Sequence, residues 1–270
     1  MMKQILAQLA LIAASASAIQ LEFEPVFTTY DSDDAAAAFP RFADVMTKFG
    51  YSNWTAHEVE TEDGYLLTTF NIKPNPDVPA KGSIHCQHGY LEDGASWLTN
   101  FGDDKSFHLQ LADKGYNVWI GNNRGTNYSQ KHKTYDASGD TAKEYWDFTW
   151  ADMQYDVKAN IKAIKALTGE DKIIYLGYSQ GTIQMHYALA HDDEHWFKKN
   201  LHKVVSLAPC FVLYDFPDVL KSAYDSTVAT FRDYGIYAIN GPNWEQDLNK
   251  ICSVYDFLIC DFYKYLRATS

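Results

Sequence analysis

Gly177-Tyr178-Ser179-Gln180-Gly181 lies directly between the apolar run Lys172-Ile173-Ile174-Tyr175-Leu176 and the helix-like stretch Thr182 to Ala190. A strand that enters a helix through so few residues must turn sharply, which forces the central serine into a strained backbone conformation. Side chains two residues either side of Ser179 would collide with the neighbouring helix and strand, and Gly177 and Gly181 remove them. A serine held this way projects into solvent at the carboxyl end of a sheet. Ser179 is therefore the candidate nucleophile of the chain.

The surrounding segments predict the sheet. Ser83 to Gln87, Asn117 to Ile120, Ile173 to Leu176 and Val204 to Leu207 are short, mostly apolar strands. Helix-like stretches alternate with them, over Ser96 to Lys114 and over Ala151 to Leu167. The latter puts Met153, Val157, Ile161 and Ile164 on one face, with Thr149 and Asp152 resembling a capping box. This alternation implies a mostly parallel sheet covered by helices on both faces, an α/β architecture. Ahead of it, Phe39 to Phe49 has helical spacing. His57 to Glu60 and Tyr65 to Ile72 read as a hairpin around Asp63-Gly64. Asp31 to Ala38 reads as a solvated entry to a helix.

At 270 residues, 46% of them hydrophobic, the chain can bury one large core. Residues 1–18 have the pattern of a signal peptide: Lys3, the apolar stretch Ile5 to Ala14, then Ala16-Ser17-Ala18. A secreted or lysosomal chain starting near Ile19 is expected, without a transmembrane segment. The domain expectation is a core over 19–209 and a partial cap over 210–270, where Tyr, Phe and Asp are frequent and the strand-helix rhythm stops. Aromatic residues in that cap would either pack it onto the core or line an apolar groove. The formal net charge of −12 repels phosphate backbones and argues against a nucleic-acid partner. Of the four cysteines, Cys86 is expected to be a buried free thiol, and Cys252 and Cys260 are a candidate disulfide. No metal site and no cofactor are expected. Asn53-Trp54-Thr55 and Asn127-Tyr128-Ser129 match the glycosylation acceptor pattern.

A serine hydroxyl needs a base to take its proton and donors to receive the oxyanion. In a turn of this type one donor is the N–H of the following residue, Gln180. The other comes from the loop after the first parallel strand, where Gln87-His88-Gly89-Tyr90 offers the Tyr90 N–H. Gly89 permits close approach, and His88 is assigned a supporting role in the loop rather than that of the base. Arg124 and Asp147 are read as loop braces.

Four motifs in order carry a resemblance: the segment His57 to Leu67, Gln87-His88-Gly89, Gly115 to Gly125, and Tyr145-Trp146-Asp147-Phe148-Thr149-Trp150. Over about Phe49 to Pro209 the chain resembles the acid lipase family, which contains the gastric and lysosomal acid lipases, within the α/β-hydrolase fold. The resemblance implies hydrolysis of lipid esters, acylglycerols or sterol esters, at a membrane or lipid-droplet interface. Two departures stand out. Tyr178 occupies the position where the family usually has His. The histidines after Ser179 (His186, His191, His195 and His202) all precede or adjoin the strand Val204 to Leu207, whereas the triad order of the fold puts an Asp and then a His on later loops. The chain as written is thus expected to lack the last strands, the triad Asp and the triad His. That leaves Val204 to Leu207 as an edge strand, and a catalytically incompetent lipid-binding fragment as the alternative reading. A peptidase of the same fold agrees with the elbow but fits the other motifs poorly.

Overall fold

The computed structural model describes residues 24–99, 104–192 and 194–210, with isolated positions between 222 and 233. The signal segment 1–18, Cys252, Cys260 and nearly all of the cap region 210–270 lie outside the described residues.

The elements, in chain order, are β1 (Phe27–Tyr30), α1 (Ser32–Ala38), α2 (Pro40–Lys48), β2 (Trp54–Glu60), β3 (Tyr65–Ile72), β4 (Ser83–Gln87), α3 (Gly94–Thr99), α4 (Phe107–Asp113), β5 (Asn117–Gly121), β6 (Lys131–His132), α5 (Ala142–Tyr145), α6 (Gln154–Thr168), β7 (Ile173–Tyr178), α7 (Gln180–Ala190), α8 (Trp196–Asn200) and β8 (Leu201–Leu207). They form one mixed sheet in the order β1-β2-β3-β5-β4-β7-β8, with β6 beside β3. Strands β5, β4, β7 and β8 are mutually parallel. The β1-β2-β3 meander is antiparallel and joins β5 antiparallel. At the other side β8 pairs with β7 alone among the described residues, and Val205 is exposed there.

Alternation along each strand divides the core between the two faces of the sheet. Ile84, Cys86, Val118, Ile120 and Leu176 pack with Phe42, Met46, Trp97, Leu98 and Leu109 from α2, α3 and α4. Trp119, Ile173 and Tyr175 pack on the opposite face with Val157, Ile161 and Ile164 of α6 and Met185 of α7. Each large apolar side chain buried in this way contributes about 1.5–3 kcal/mol. Val157, Ile161 and Ile164 belong to the stripe expected for α6, while Met153, expected with them, is the residue just ahead of the helix. The helix stops where Gly169 adopts φ 73°, its N–H donating to Lys165 O at 2.8 Å.

Several expectations need revision. The stretch Ser96 to Lys114 is not a single helix. It holds α3 and α4, and α4 starts afresh where Ser106 Oγ accepts the Leu109 N–H. The run Asp31 to Ala38 is more than an entry to a helix: Ser32–Ala38 form α1 themselves, capped by Asp31, whose Oδ1 accepts the N–H groups of Asp33 and Asp34. Thr149 donates to the Asp152 carboxylate from both its N–H and its hydroxyl, but this box closes a turn that precedes α6. Cys86 is a buried free thiol.

Candidate active site

All four parallel strands end at one edge of the sheet, and their register aligns the ends. Gln87 at the end of β4 lies opposite Gly121 on one side and Gly177 on the other. Tyr178 lies opposite Leu207. The loops that follow β4, β5 and β7 therefore emerge side by side.

The turn between β7 and α7 has the strain that its sequence requires. Ser179 has φ 48° and ψ −111°, a region that favours glycine, and its N–H is held by the Leu207 carbonyl at 3.0 Å. Its carbonyl accepts from the Thr182 N–H at 2.9 Å and the Thr182 hydroxyl at 2.6 Å. Neither flanking glycine has room for a side chain. A Cβ on Gly177 would stand 2.7 Å from the Gly181 backbone, and one on Gly181 would stand 2.5 Å from Gln87 O. Gly181 thus brings the start of α7 into backbone contact with the β4 loop.

That loop is fixed around Gly89. A Cβ there would meet the Tyr178 ring at 3.0 Å. Tyr178, at the position where the acid lipases usually have His, therefore buttresses the loop, with Trp97 stacked on its ring at 6.2 Å. His88 is buried with both ring nitrogens engaged: Nδ1–H donates to Gly89 O at 2.8 Å, and Nε2 accepts the Asn123 N–H at 3.2 Å. A carbonyl can only accept and an amide N–H only donate, so the ring is held as the neutral Nδ1–H tautomer. Burial pushes its pKa down. Tyr90 and Leu91 follow, 58% and 71% exposed, with Leu91 at φ 59°.

Four histidines follow Ser179 in the chain. His186 Nε2 is 3.2 Å from Ser206 Oγ, and His191 Nδ1–H donates to Tyr187 O. His191 and His195, four residues apart, flank the break between α7 and α8 rather than sharing a helix face. His202 is exposed on β8. Among the described residues no histidine is hydrogen-bonded to the Ser179 hydroxyl, and no cluster of His, Cys, Asp or Glu could hold a metal ion.

The β5 loop is braced by charge. Arg124, fully buried, reaches Asp63 in the β2–β3 turn at 2.6 and 2.9 Å and Asp156 on α6 at 2.6 and 2.7 Å. Its N–H also donates to Asp156. Burial alone would lower the Arg124 pKa, but the two carboxylates outweigh it and raise the value. Burial pulls Asp156 toward protonation. With three Arg124 donors on its two oxygens, we take the ionised pair as the native form. Arg124 is the loop brace expected, whereas Asp147 is exposed and only its backbone N–H is bonded, to Glu144 O.

Residues 83–244 match the family described as alpha/beta hydrolase fold. The chain belongs to this α/β-hydrolase family. Residues 42–101 also match a partial alpha/beta-hydrolase lipase region. The α/β-hydrolase is 37% identical over 171 residues to Lipase lipl-1 of Caenorhabditis elegans, covering 61% of this chain and 41% of that protein. It is 39% identical over 145 residues to human lysosomal acid lipase/cholesteryl ester hydrolase, covering 52% and 35%. Against mouse gastric triacylglycerol lipase the identity is 35% over 190 residues, covering 63% and 47%. The chain thus matches less than half the length of each of these relatives.

One polar residue of the site escaped sequence reading. Glu92 Oε2 accepts the Gly89 N–H at 3.0 Å. A lone Glu in a loop carries no pattern that announces such a bond.

Proposed function

We infer that this α/β-hydrolase is a serine ester hydrolase of lipid metabolism that forms an acyl-Ser179 intermediate. The observation that carries this reading is the contact of the strained Ser179 turn with the β4 loop through Gly181, where a Cβ would stand only 2.5 Å from Gln87 O. The Ser179 Oγ attacks an ester carbonyl while its proton passes to a base. The N–H groups of Tyr90 and Gln180 receive the oxyanion, and the alcohol departs with a proton. Water then releases the acid. His88 and Gly89 hold the oxyanion loop, and Gly177 and Gly181 hold the elbow. In the chain order of this fold the base and its carboxylate come after the nucleophile.

The names of the relatives point to acylglycerols and cholesteryl esters as the substrate class, and to a lysosomal or secreted setting. The exposed Tyr90 and Leu91 give the site an apolar rim suited to a lipid interface. No helix among the described residues is long and apolar enough to cross a membrane. Residues 1–18 act as the signal, 19–209 as the hydrolase core and 210–270 as part of a cap. Asn53 and Asn127 are exposed, as glycan acceptors must be.

The second reading is a lipid-binding fragment without catalysis, favoured by the engagement of His88, His186 and His191 away from Ser179. A fluorophosphonate probe separates the two. Brisk labelling of the 270-residue chain, abolished in Ser179→Ala, supports the hydrolase, while an unlabelled chain supports the fragment. Hydrolysis of long-chain p-nitrophenyl esters that survives Ser179→Ala would sink the nucleophile assignment.

A further inference from the structure

Both backbone polar groups of Gly89 are gripped by neighbouring side chains. Its N–H donates to Glu92 Oε2 at 3.0 Å and its C=O accepts from His88 Nδ1 at 2.8 Å. The residue is also wedged sideways, since a Cβ would stand 3.0 Å from Tyr178 Cδ1 and 3.1 Å from Glu92 Oε2. The Gly89 carbonyl and the Tyr90 N–H belong to one planar trans peptide and point in opposite directions. Whatever fixes the carbonyl therefore aims the N–H. A glycine has wide backbone freedom, so the bond from His88 sets the orientation of this plane firmly only if the adjoining peptide, which carries the Gly89 N–H, is held as well.

Glu92 is well placed to hold it, because the two residues that follow it are anchored. The next residue, Asp93, accepts the Ser96 N–H at 2.8 Å and the Arg41 guanidinium at 2.6 Å. The Gly94 N–H donates to Asn122 Oδ1 at 2.7 Å, which ties the start of α3 to the β5 loop.

We propose that Glu92 is a positioning residue of the oxyanion loop, its carboxylate holding Gly89 so that the Tyr90 N–H faces the developing negative charge. This rests on the Ser179 and Tyr90 reading above. The carboxylate has two properties with opposite effects: its oxygen orders the loop, and its charge opposes a second negative charge forming nearby. Substitution separates them. Glu92→Gln keeps an acceptor oxygen and removes the charge, whereas Glu92→Ala removes both.

The test uses a fluorophosphonate, whose phosphoryl oxygen occupies the oxyanion position. The Ser179 oxygen bonds to phosphorus, the P–F bond breaks, fluoride leaves, and the hydroxyl proton passes to solvent. The second-order labelling rate of the chain and amide hydrogen exchange at Gly89 and Tyr90 are both measured. Expected are labelling about tenfold or more slower in Glu92→Ala, faster exchange at both amides in that variant, and labelling in Glu92→Gln at least as fast as in the parent. Equal labelling of the parent and Glu92→Ala would overturn the proposal. So would a parallel loss in both variants accompanied by a lower unfolding midpoint. A parent chain that does not label at all defeats the nucleophile reading instead. The exchange arm then decides Glu92 alone: faster Gly89 exchange in Glu92→Ala sustains its grip, and unchanged exchange refutes it.

Discussion

The loops after β4 and β5 leave neighbouring parallel strands at the same edge of the sheet, yet they are built on opposite terms. In the β5 loop Asn122, Asn123 and Arg124 are buried in succession, and the bonds run to distant parts of the chain. Asn122 Nδ2 donates to Thr68 O, Asn123 Oδ1 accepts from Gln87, and Arg124 joins Asp63 to Asp156. In the β4 loop the grip on Gly89 itself is local, from His88 and Glu92, although His88 also bonds the Asn123 N–H, and the next two residues are exposed. A buried polar group must find a partner, so the first loop is a scaffold whose removal costs the fold. The second carries two exposed side chains, Tyr90 and Leu91, directly after its gripped glycine. The difference separates a loop bound by buried ionic contacts from one that ends in exposed side chains.

The largest effect should come from the scaffold. Arg124→Ala leaves Asp156 buried without its partner and is expected to cost about 3–5 kcal/mol of folding free energy in urea denaturation. A loss below about 1 kcal/mol would erase the contrast between the loops.

The crossover that joins the two strands adds a pH dependence. His108 on α4 is buried between Trp97 and Phe107, and neither ring nitrogen has a hydrogen-bond partner among the described residues. Burial pushes its pKa down to about 3, and burial likewise lowers His57 and His85 to about 4. Below about pH 6.5 the unfolded chain takes up protons that the folded chain refuses, so this stability is complete above pH 6.5 and is lost as pH falls toward the folded values. For His108 the loss at pH 5 is about 2 kcal/mol. Chemical denaturation at pH 7 and pH 5 should show the difference shrink by that amount in His108→Leu, and an unchanged difference would show that the ring is already charged in the folded protein.

In the β4 loop, Gly89→Ala should act on chemistry more than on folding. The methyl presses on Tyr178 at 3.0 Å, which costs about 1 kcal/mol of stability, while fluorophosphonate labelling falls about tenfold. If stability collapses instead, this loop is scaffold too. The smallest effect is expected for Arg41→Ala. Arg41 is 55% exposed in its pair with Asp93, so the loss in a denaturation curve should stay under about 1 kcal/mol.

Much of the frame was legible from local pattern. The β3 strand runs over Tyr65–Ile72, the bounds expected of it beside the Asp63-Gly64 turn, and β7 and α7 flank the Ser179 turn. Legibility failed where a tertiary partner sets the boundary. The strand Phe27–Tyr30 exists because β2 offers an edge to pair with. Asp147 and Arg124 read alike as braces, but Arg124 meets two carboxylates, 61 and 32 residues away in sequence, whereas no side-chain partner meets Asp147 among the described residues.

The sequence by itself determined the alternation of strands and helices and the position of a strained serine between two glycines, because steric limits and hydrophobic period act over a few residues. Only the tertiary structure decided that the Gly181 backbone meets the Gln87 carbonyl, that Tyr178 supports Gly89, and that Glu92 holds the same residue from the other side. Those contacts depend on the sheet register that aligns Gln87 with Gly177, and no local rule of chain geometry encodes that alignment.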